Sequence, residues 1–158
     1  MTSTLIAGPG EEPVTLAEAK AFCRIDADDE DALVSALIAA ARMQVESLSG
    51  RALVTQIWRL TLTCPKGLVV PLPVVPVIEL TEAPEGAVLQ ADAVLLAEAI
   101  DELTVDYTAG YGSADDVPAD LKQALLQLVA YWFEYRDSTS APPASVERLL
   151  AGYRRVRV

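Results

Sequence analysis

The chain has 158 residues, of which 52% are apolar and 22% are charged, so it is long enough for one globular domain with a buried core. It contains no His, which excludes His-dependent nucleophilic catalysis, His-ligated zinc and an imidazole base working near neutral pH. Its 12 basic and 23 acidic residues give a net charge of −11, which argues against DNA binding over the whole surface, because that binding needs cations to neutralise phosphates.

Capping signals and apolar periodicity predict two helices in the first third of the chain. Thr15 and Glu18 have the spacing of a capping box, which predicts a helix over about residues 15–24. An acidic cluster at residues 28–31 precedes apolar residues at helical spacing, and Gly50 follows as a C-cap candidate. We therefore expect a second helix over about residues 29–49.

Alternation of apolar and polar residues predicts two strands, over about residues 56–63 and 103–108. Between them, Pro71, Pro73 and Pro76 interrupt an apolar run. Because proline cannot donate to a strand ladder, this run is expected to form edge strands or extended loop. Residues 81–102 are expected to form short strands and a short turn or helix.

The last third of the chain predicts a long helix over about residues 117–137, with Asp115 or Asp116 as its cap and Pro118 in its first turn. A Pro-containing linker, a short helix and a C-terminal arm follow it in residues 138–158. The expected fold is mainly α with a small β portion (α+β): a helical bundle of two long helices plus short helices, with a short-stranded sheet in the middle. Residues 1–137 are expected to form the main domain.

Charge is distributed unevenly along the chain. Residues 67–121 contain eleven acids and no Lys or Arg, whereas no acid follows Glu147. The acidic segment predicts a solvated face, or an anionic surface that repels phosphate or meets a basic partner. The C-terminal residues alternate between basic and apolar, which is typical either of a frayed terminus or of an extended arm that adds to a partner; they are Tyr153, Arg154, Arg155, Val156, Arg157 and Val158.

No motif in the chain predicts a catalytic, cofactor-binding or metal site. The carboxylate cluster at residues 26–31 lacks the Gly and Glu positions of an EF-hand loop, and no phosphate-binding P-loop is present. Cys23 and Cys64 have no metal-ligand spacing and are expected to be free thiols. We also expect no signal peptide and no membrane span. An acidic protein that mimics DNA and inhibits a nucleic-acid-binding protein is an alternative function, and a carboxylate-pair enzyme is a weaker one.

Two blocks of this sequence, in this order, resemble the head-tail connector (adaptor) proteins of long-tailed phages and related gene transfer particles. The first block comprises residues 13–20, 28–33 and 50–58, and the second comprises residues 103–112, 117–124 and 131–132. With the segments between them they cover residues 13–62 and 103–137, a little over half of the chain.

The resemblance implies a structural protein without catalysis, cofactor or metal. Such proteins assemble as a ring, usually of twelve copies, beneath the portal; the ring extends the DNA channel and offers a platform to the next connector or tail component. The expected partners are the portal, further copies and that next component, while DNA passes through without specific binding and no membrane is involved. The expected location is the neck of a virion or virus-like particle, and the host cytoplasm before assembly.

Two surfaces are candidates for these roles. The arm from Tyr153 to Val158 is expected to dock on the portal by strand addition and by pairing of its arginines with acids. Part of the acidic segment is expected to face the channel, where negative charge would keep DNA from sticking; the candidates are Glu79, Glu82, Glu85, Asp92, Asp115 and Asp116.

Overall fold

The computed structural model describes residues 1–63, 65, 67–136 and 143–153. Within them lie four α-helices, seven strands and one 3₁₀ turn, Ala114–Asp116. In chain order the helices and strands are β1 (Thr2–Ala7), α1 (Leu16–Cys23), α2 (Asp31–Ser49), β2 (Gln56–Thr63), β3 (Val69–Pro71), β4 (Val77–Glu82), β5 (Val88–Gln90), β6 (Ala93–Leu95), β7 (Glu102–Ala109), α3 (Ala119–Glu134) and α4 (Ala144–Leu150).

The strands form two antiparallel sheets. The larger has the order β1-β2-β7-β4 and the smaller has the order β3-β6-β5. Strands β2 and β7 pair without interruption from Gln56 opposite Ala109 to Thr63 opposite Glu102. Buried residues of both sheets share one apolar cluster, which includes Leu60, Tyr107 and Val94. The two sheets therefore pack against each other around a core of their own.

The helices form a second core, built mainly from α2 and α3 with α1 and α4 against them. Thr15 and Glu18 make the predicted capping box at the start of α1, and Gly50, with a φ of 68°, ends α2. Leu128 of α3 and Leu150 of α4 are fully buried in this cluster. The short C-terminal helix is therefore part of the helical core.

The links between the two cores run close together. Backbone hydrogen bonds join Thr55 N to the Gly112 carbonyl at 3.0 Å and Gly110 N to the Pro76 carbonyl at 2.9 Å. Gly110 has a φ of 134°, and a Cβ there would lie 2.5 Å from the Val54 carbonyl oxygen. Only glycine fits this crossing without a shift of the backbone.

The prediction of a helical bundle with a small middle sheet is wrong. Five strands add to the two predicted ones, and together they make two antiparallel sheets, so the described fold is α+β with a substantial β part. Strand β1 was not predicted. All six of its residues are exposed at a sheet edge, so they need not alternate between apolar and polar as the residues of a half-buried strand do. Strands β3, β5 and β6 have three residues each, which is too short to establish a period.

Helix boundaries differ from the predicted ones chiefly at the long helix, which spans Ala119–Glu134 instead of about residues 117–137. Asp115 and Asp116 lie in the 3₁₀ turn, and Pro118 is the N-cap of α3.

The proposed division after residue 137 stays a prediction, since residues 137–142 and 154–158 lie outside the described part. No helix among the described residues has the length and hydropathy required to span a membrane.

Candidate assembly surfaces

The first residue of the C-terminal arm, Tyr153, is fixed to the body of the protein. Its hydroxyl donates to the Asp120 carboxylate, with oxygen–oxygen distances of 2.7 and 2.8 Å. The Arg51 guanidinium lies 5.7 Å from the centre of its ring. Burial, and next the hydrogen bond to Asp120, raise the pKa of Tyr153 to about 12. The other arm residues, Arg154, Arg155, Val156, Arg157 and Val158, lie outside the described residues.

This anchor joins three parts of the chain that are far apart in sequence. Arg51 follows the end of α2, Asp120 lies in the first turn of α3, and Tyr153 follows α4. Tyr111, between β7 and α3, belongs to the same group, and burial raises the pKa of its hydroxyl. No sequence pattern connects these positions, so the anchor was not predicted.

Three of the six candidate channel acids lie on one exposed edge. Glu79 and Glu82 belong to β4, an outer strand of the larger sheet, and Glu85 lies in the turn after it; all three are exposed. The Glu82 side chain keeps 79% of its exposure although a carboxylate oxygen lies 3.8 Å from an Arg59 nitrogen. These acids, which we call the β4 acids, form a negatively charged surface facing solvent.

The other three candidates lie elsewhere, and two of them make hydrogen bonds within the chain. Asp92 accepts from the backbone N–H of Val77 at 3.0 Å and so ties the two sheets together. Asp116 accepts from the backbone and hydroxyl of Ser113 at 2.9 and 2.7 Å, and these bonds lower its pKa. The spacing of Ser113 and Asp116 is that of a capping box, which could have revealed this role. Asp115 is exposed in the same turn.

The six acids therefore do not form one cluster. Val77 at the start of β4 pairs with Ala109, and Glu82 at its end pairs with Asp106. Three residues of strand separate these positions by about 10 Å. The turn that carries Asp115 and Asp116 follows Ala109, so it lies beyond the end of β4 that is farther from Glu82 and Glu85, whereas Glu79 pairs with Thr108 close to that end.

A groove opens between α2 and strand β1, with a volume of about 380 Å³. We call it the β1 groove. Apolar atoms form most of its surface, and Leu5 and Met43 on its rim are 45% and 63% exposed. Trp58 lies in its wall and donates its indole N–H to Gln56 at 3.1 Å. The lining residues are Leu5, Arg42, Met43, Glu46, Ser47, Gly50, Arg51, Ala52, Gln56, Trp58 and Val74.

One wall of the β1 groove is held by Glu46. Its Oε1 atom accepts from the Leu53 N–H at 3.0 Å and from Gln56 Nε2 at 2.6 Å, and its Oε2 accepts from Arg42 at 3.0 Å. Arg42 also donates to Glu12 at 2.8 Å. Burial raises the pKa of Glu46 against the opposing effect of these donors. The network makes this wall a fixed surface.

The described residues offer no centre for metal chemistry. No group of three or more His, Cys, Asp or Glu among them is placed to hold a metal ion. Cys23 is a free, half-buried thiol whose pKa is raised by burial, and Cys64 lies outside the described residues.

Comparison with known proteins matches nearly the whole chain to a structural family. The family model described as "Head completion protein" covers residues 12–156. A chain in the virion of a native gene transfer agent particle is 27% identical, with a TM-score of 0.85, over 100% of this chain and 97% of that one. Chains in the neck of an empty particle with C6 symmetry (26% identity, TM-score 0.85) and of a native particle with C12 symmetry (28%, 0.78) match over the same shares. No curated protein sequence gives a match. This chain belongs to the head completion protein family.

Proposed function

We propose that the chain is a subunit of the head-tail connector, which assembles as a ring of twelve copies beneath the portal of a virus-like particle. The observation that carries this proposal is the full-length match to chains of a gene transfer agent neck, at a TM-score of 0.85. Twelvefold and sixfold symmetry in those necks supports a ring. Membership of the head completion family makes the protein structural rather than enzymatic, and favours the connector over the DNA-mimic alternative.

In this role the ring extends the DNA channel and gives the next connector or tail component a surface on which to dock. Removing the chain from particle-producing cells should leave DNA-filled heads and separate tails, which electron microscopy would count. Wild-type chain supplied in trans is the control and should restore joined particles. Normally joined particles without the chain would contradict the proposal.

We assign portal docking to the C-terminal arm. Tyr153, the first residue of the arm, is held in place by Asp120 and Arg51. Deleting residues 154–158 while keeping Tyr153 should abolish co-purification with the portal and leave the unfolding temperature unchanged. A second variant, in which the three arm arginines are replaced by Gln, keeps the length of the arm and tests what their charge contributes to binding. Portal binding retained by the deletion variant would refute this role.

We assign channel lining to the β4 acids among the six candidates, because they form one exposed, negatively charged edge. Asp92 and Asp116 already serve as hydrogen-bond acceptors within the chain, and Asp115 lies in the same turn as Asp116. Like charge keeps phosphate away from a surface, and Lys would attract it. Replacing Glu79, Glu82 and Glu85 by Lys should therefore slow DNA ejection from particles.

A control variant with the same change in charge tests whether position matters. It carries Lys at three exposed acids outside β4: Asp26, Asp29 and Glu147. We expect ejection from particles with this variant to match the wild type. Equal ejection rates for both variants would contradict the assignment of the β4 acids to the channel lining.

A further inference from the structure

Strand β1 is an outer strand that lacks the usual protection against pairing with another chain. Among the described residues it pairs only with β2, and all six of its residues are exposed. Natural edge strands are blunted by charged residues, Pro or bulges. Residues 2–7 contain neither charge nor Pro, and the one irregularity of pairing falls at the end of the strand, between Leu5 and Ala7. The opposite edge strand, β4, carries Glu79 and Glu82.

The β1 groove lies directly beside this open edge. Leu5 of β1 forms one rim and Met43 of α2 another, and both side chains keep about half of their surface or more in solvent. Ile6, the next residue of the strand, is 49% exposed. An unpaired backbone edge and an apolar groove together provide the hydrogen bonds and the pocket that an extended segment requires.

The charge of the groove permits a contact between copies. Arg42 is compensated by Glu46 and Glu12, and Arg51 lies against the Tyr153 ring, so the groove has no excess negative charge on a chain whose net charge is −11. The residues of β1 carry no charge either. Copies with the same net negative charge repel each other least where such charge is absent. We propose that the β1 groove and the edge of β1 bind an extended segment from another part of a second copy of this chain.

This inference rests on the proposed ring, and it explains how such a ring could close. The groove of one copy and the segment that enters it lie on different parts of the molecule, so the contact is heterologous. Heterologous contacts repeat from copy to copy and form a closed ring when the rotation between copies allows it.

A photo-crosslinking residue at position 43 tests the contact directly. A benzophenone amino acid replaces Met43 in the full-length chain, particles are irradiated, and the crosslinked peptides are identified by mass spectrometry. We expect a covalent dimer of this chain in which position 43 is joined to a segment outside the groove. The control carries the same residue in place of Phe22, which is exposed on α1 away from the groove, and should give no such dimer.

A charge introduced at the groove provides the second measurement. Met43→Glu should lower incorporation of the chain into necks about tenfold, since one lost apolar contact is worth on the order of one factor of ten in an equilibrium constant. Phe22→Glu adds the same charge and should incorporate normally. Circular dichroism melting confirms that both variants fold.

The outcomes distinguish this inference from the proposed function. A chain that carries the crosslinker, reaches wild-type levels in particles and forms no dimer through position 43 overturns the inference and leaves the connector role standing. A dimer in which position 43 is joined to the same groove of the second copy also overturns it. Absence of the wild-type chain from particle necks overturns both.

Discussion

Replacing Glu46 by Ala removes the acceptor on which two buried donors depend. The Leu53 N–H and the Gln56 side-chain amide both donate to its Oε1 atom, and both residues are almost fully buried. Arg42 loses one partner but keeps Glu12. A buried donor without a partner costs about 1–3 kcal/mol, so the two donors predict a loss of about 3 kcal/mol in the free energy of unfolding.

Thermal and urea unfolding followed by circular dichroism measure this loss. In a chain of this size, 1 kcal/mol corresponds to about 2–4 °C, so Tm should fall by about 6–12 °C. Glu46→Gln keeps an acceptor oxygen for Leu53 and Gln56, and should cost less than half as much. A loss below about 1 kcal/mol in Glu46→Ala, or equal losses in both variants, would refute the role of Glu46 as the shared acceptor.

The raised pKa of Glu46 adds a pH dependence with a definite sign. Because burial raises its pKa above the ordinary value of 4.5, the folded protein favours the protonated acid. This contribution to stability is complete below pH 4.5 and is lost as the pH rises through the raised pKa. Glu46→Gln cannot ionise, so its stability should not show this loss when the two proteins are titrated side by side.

Two further predictions concern the crossing at Gly110 and the anchor of the arm. Gly110→Ala should destabilise the protein by at least about 2 kcal/mol, because its Cβ would meet the Val54 carbonyl at a positive φ; Gly10→Ala, which meets nothing within 4 Å, is the control, and equal urea midpoints would contradict the prediction. Wild-type stability should fall as the pH rises from 10 towards 12, where Tyr153 ionises and loses its bond to Asp120. Tyr153→Phe should show a smaller fall, because only Tyr111 of this group still ionises there, and the same alkaline profile in both proteins would count against the anchor.

Elements with a strong local signal were predictable from the sequence. The capping box of Thr15 and Glu18 and the apolar stripe that follows Asp31 placed α1 and α2 within two residues of their observed limits. Alternation predicted both β2 and β7, although β7 is buried on both faces from Val105 to Ala109. Proline in the run from residue 68 to 80 predicted edge strands or extended loop, and the run contains the outer strands β3 and β4.

The candidate surfaces were less predictable, because they depend on contacts across the fold. Clustering of acids in sequence suggested one channel surface, yet Asp92 and Asp116 accept hydrogen bonds inside the chain and only the β4 acids share an exposed edge. The β1 groove combines residues near positions 5, 43, 58 and 74, which no local period connects. Its outer strand was missed because an exposed edge imposes no pattern on its residues.

The central claim is that this chain forms the connector between head and tail. Electron cryomicroscopy of the particle neck, with particles purified from cells that express the chain, tests it most directly. The account predicts a closed ring of twelve subunits beneath the portal, each fitted by the two sheets and four helices described above. A complete neck whose density contains no copy of this fold would contradict it.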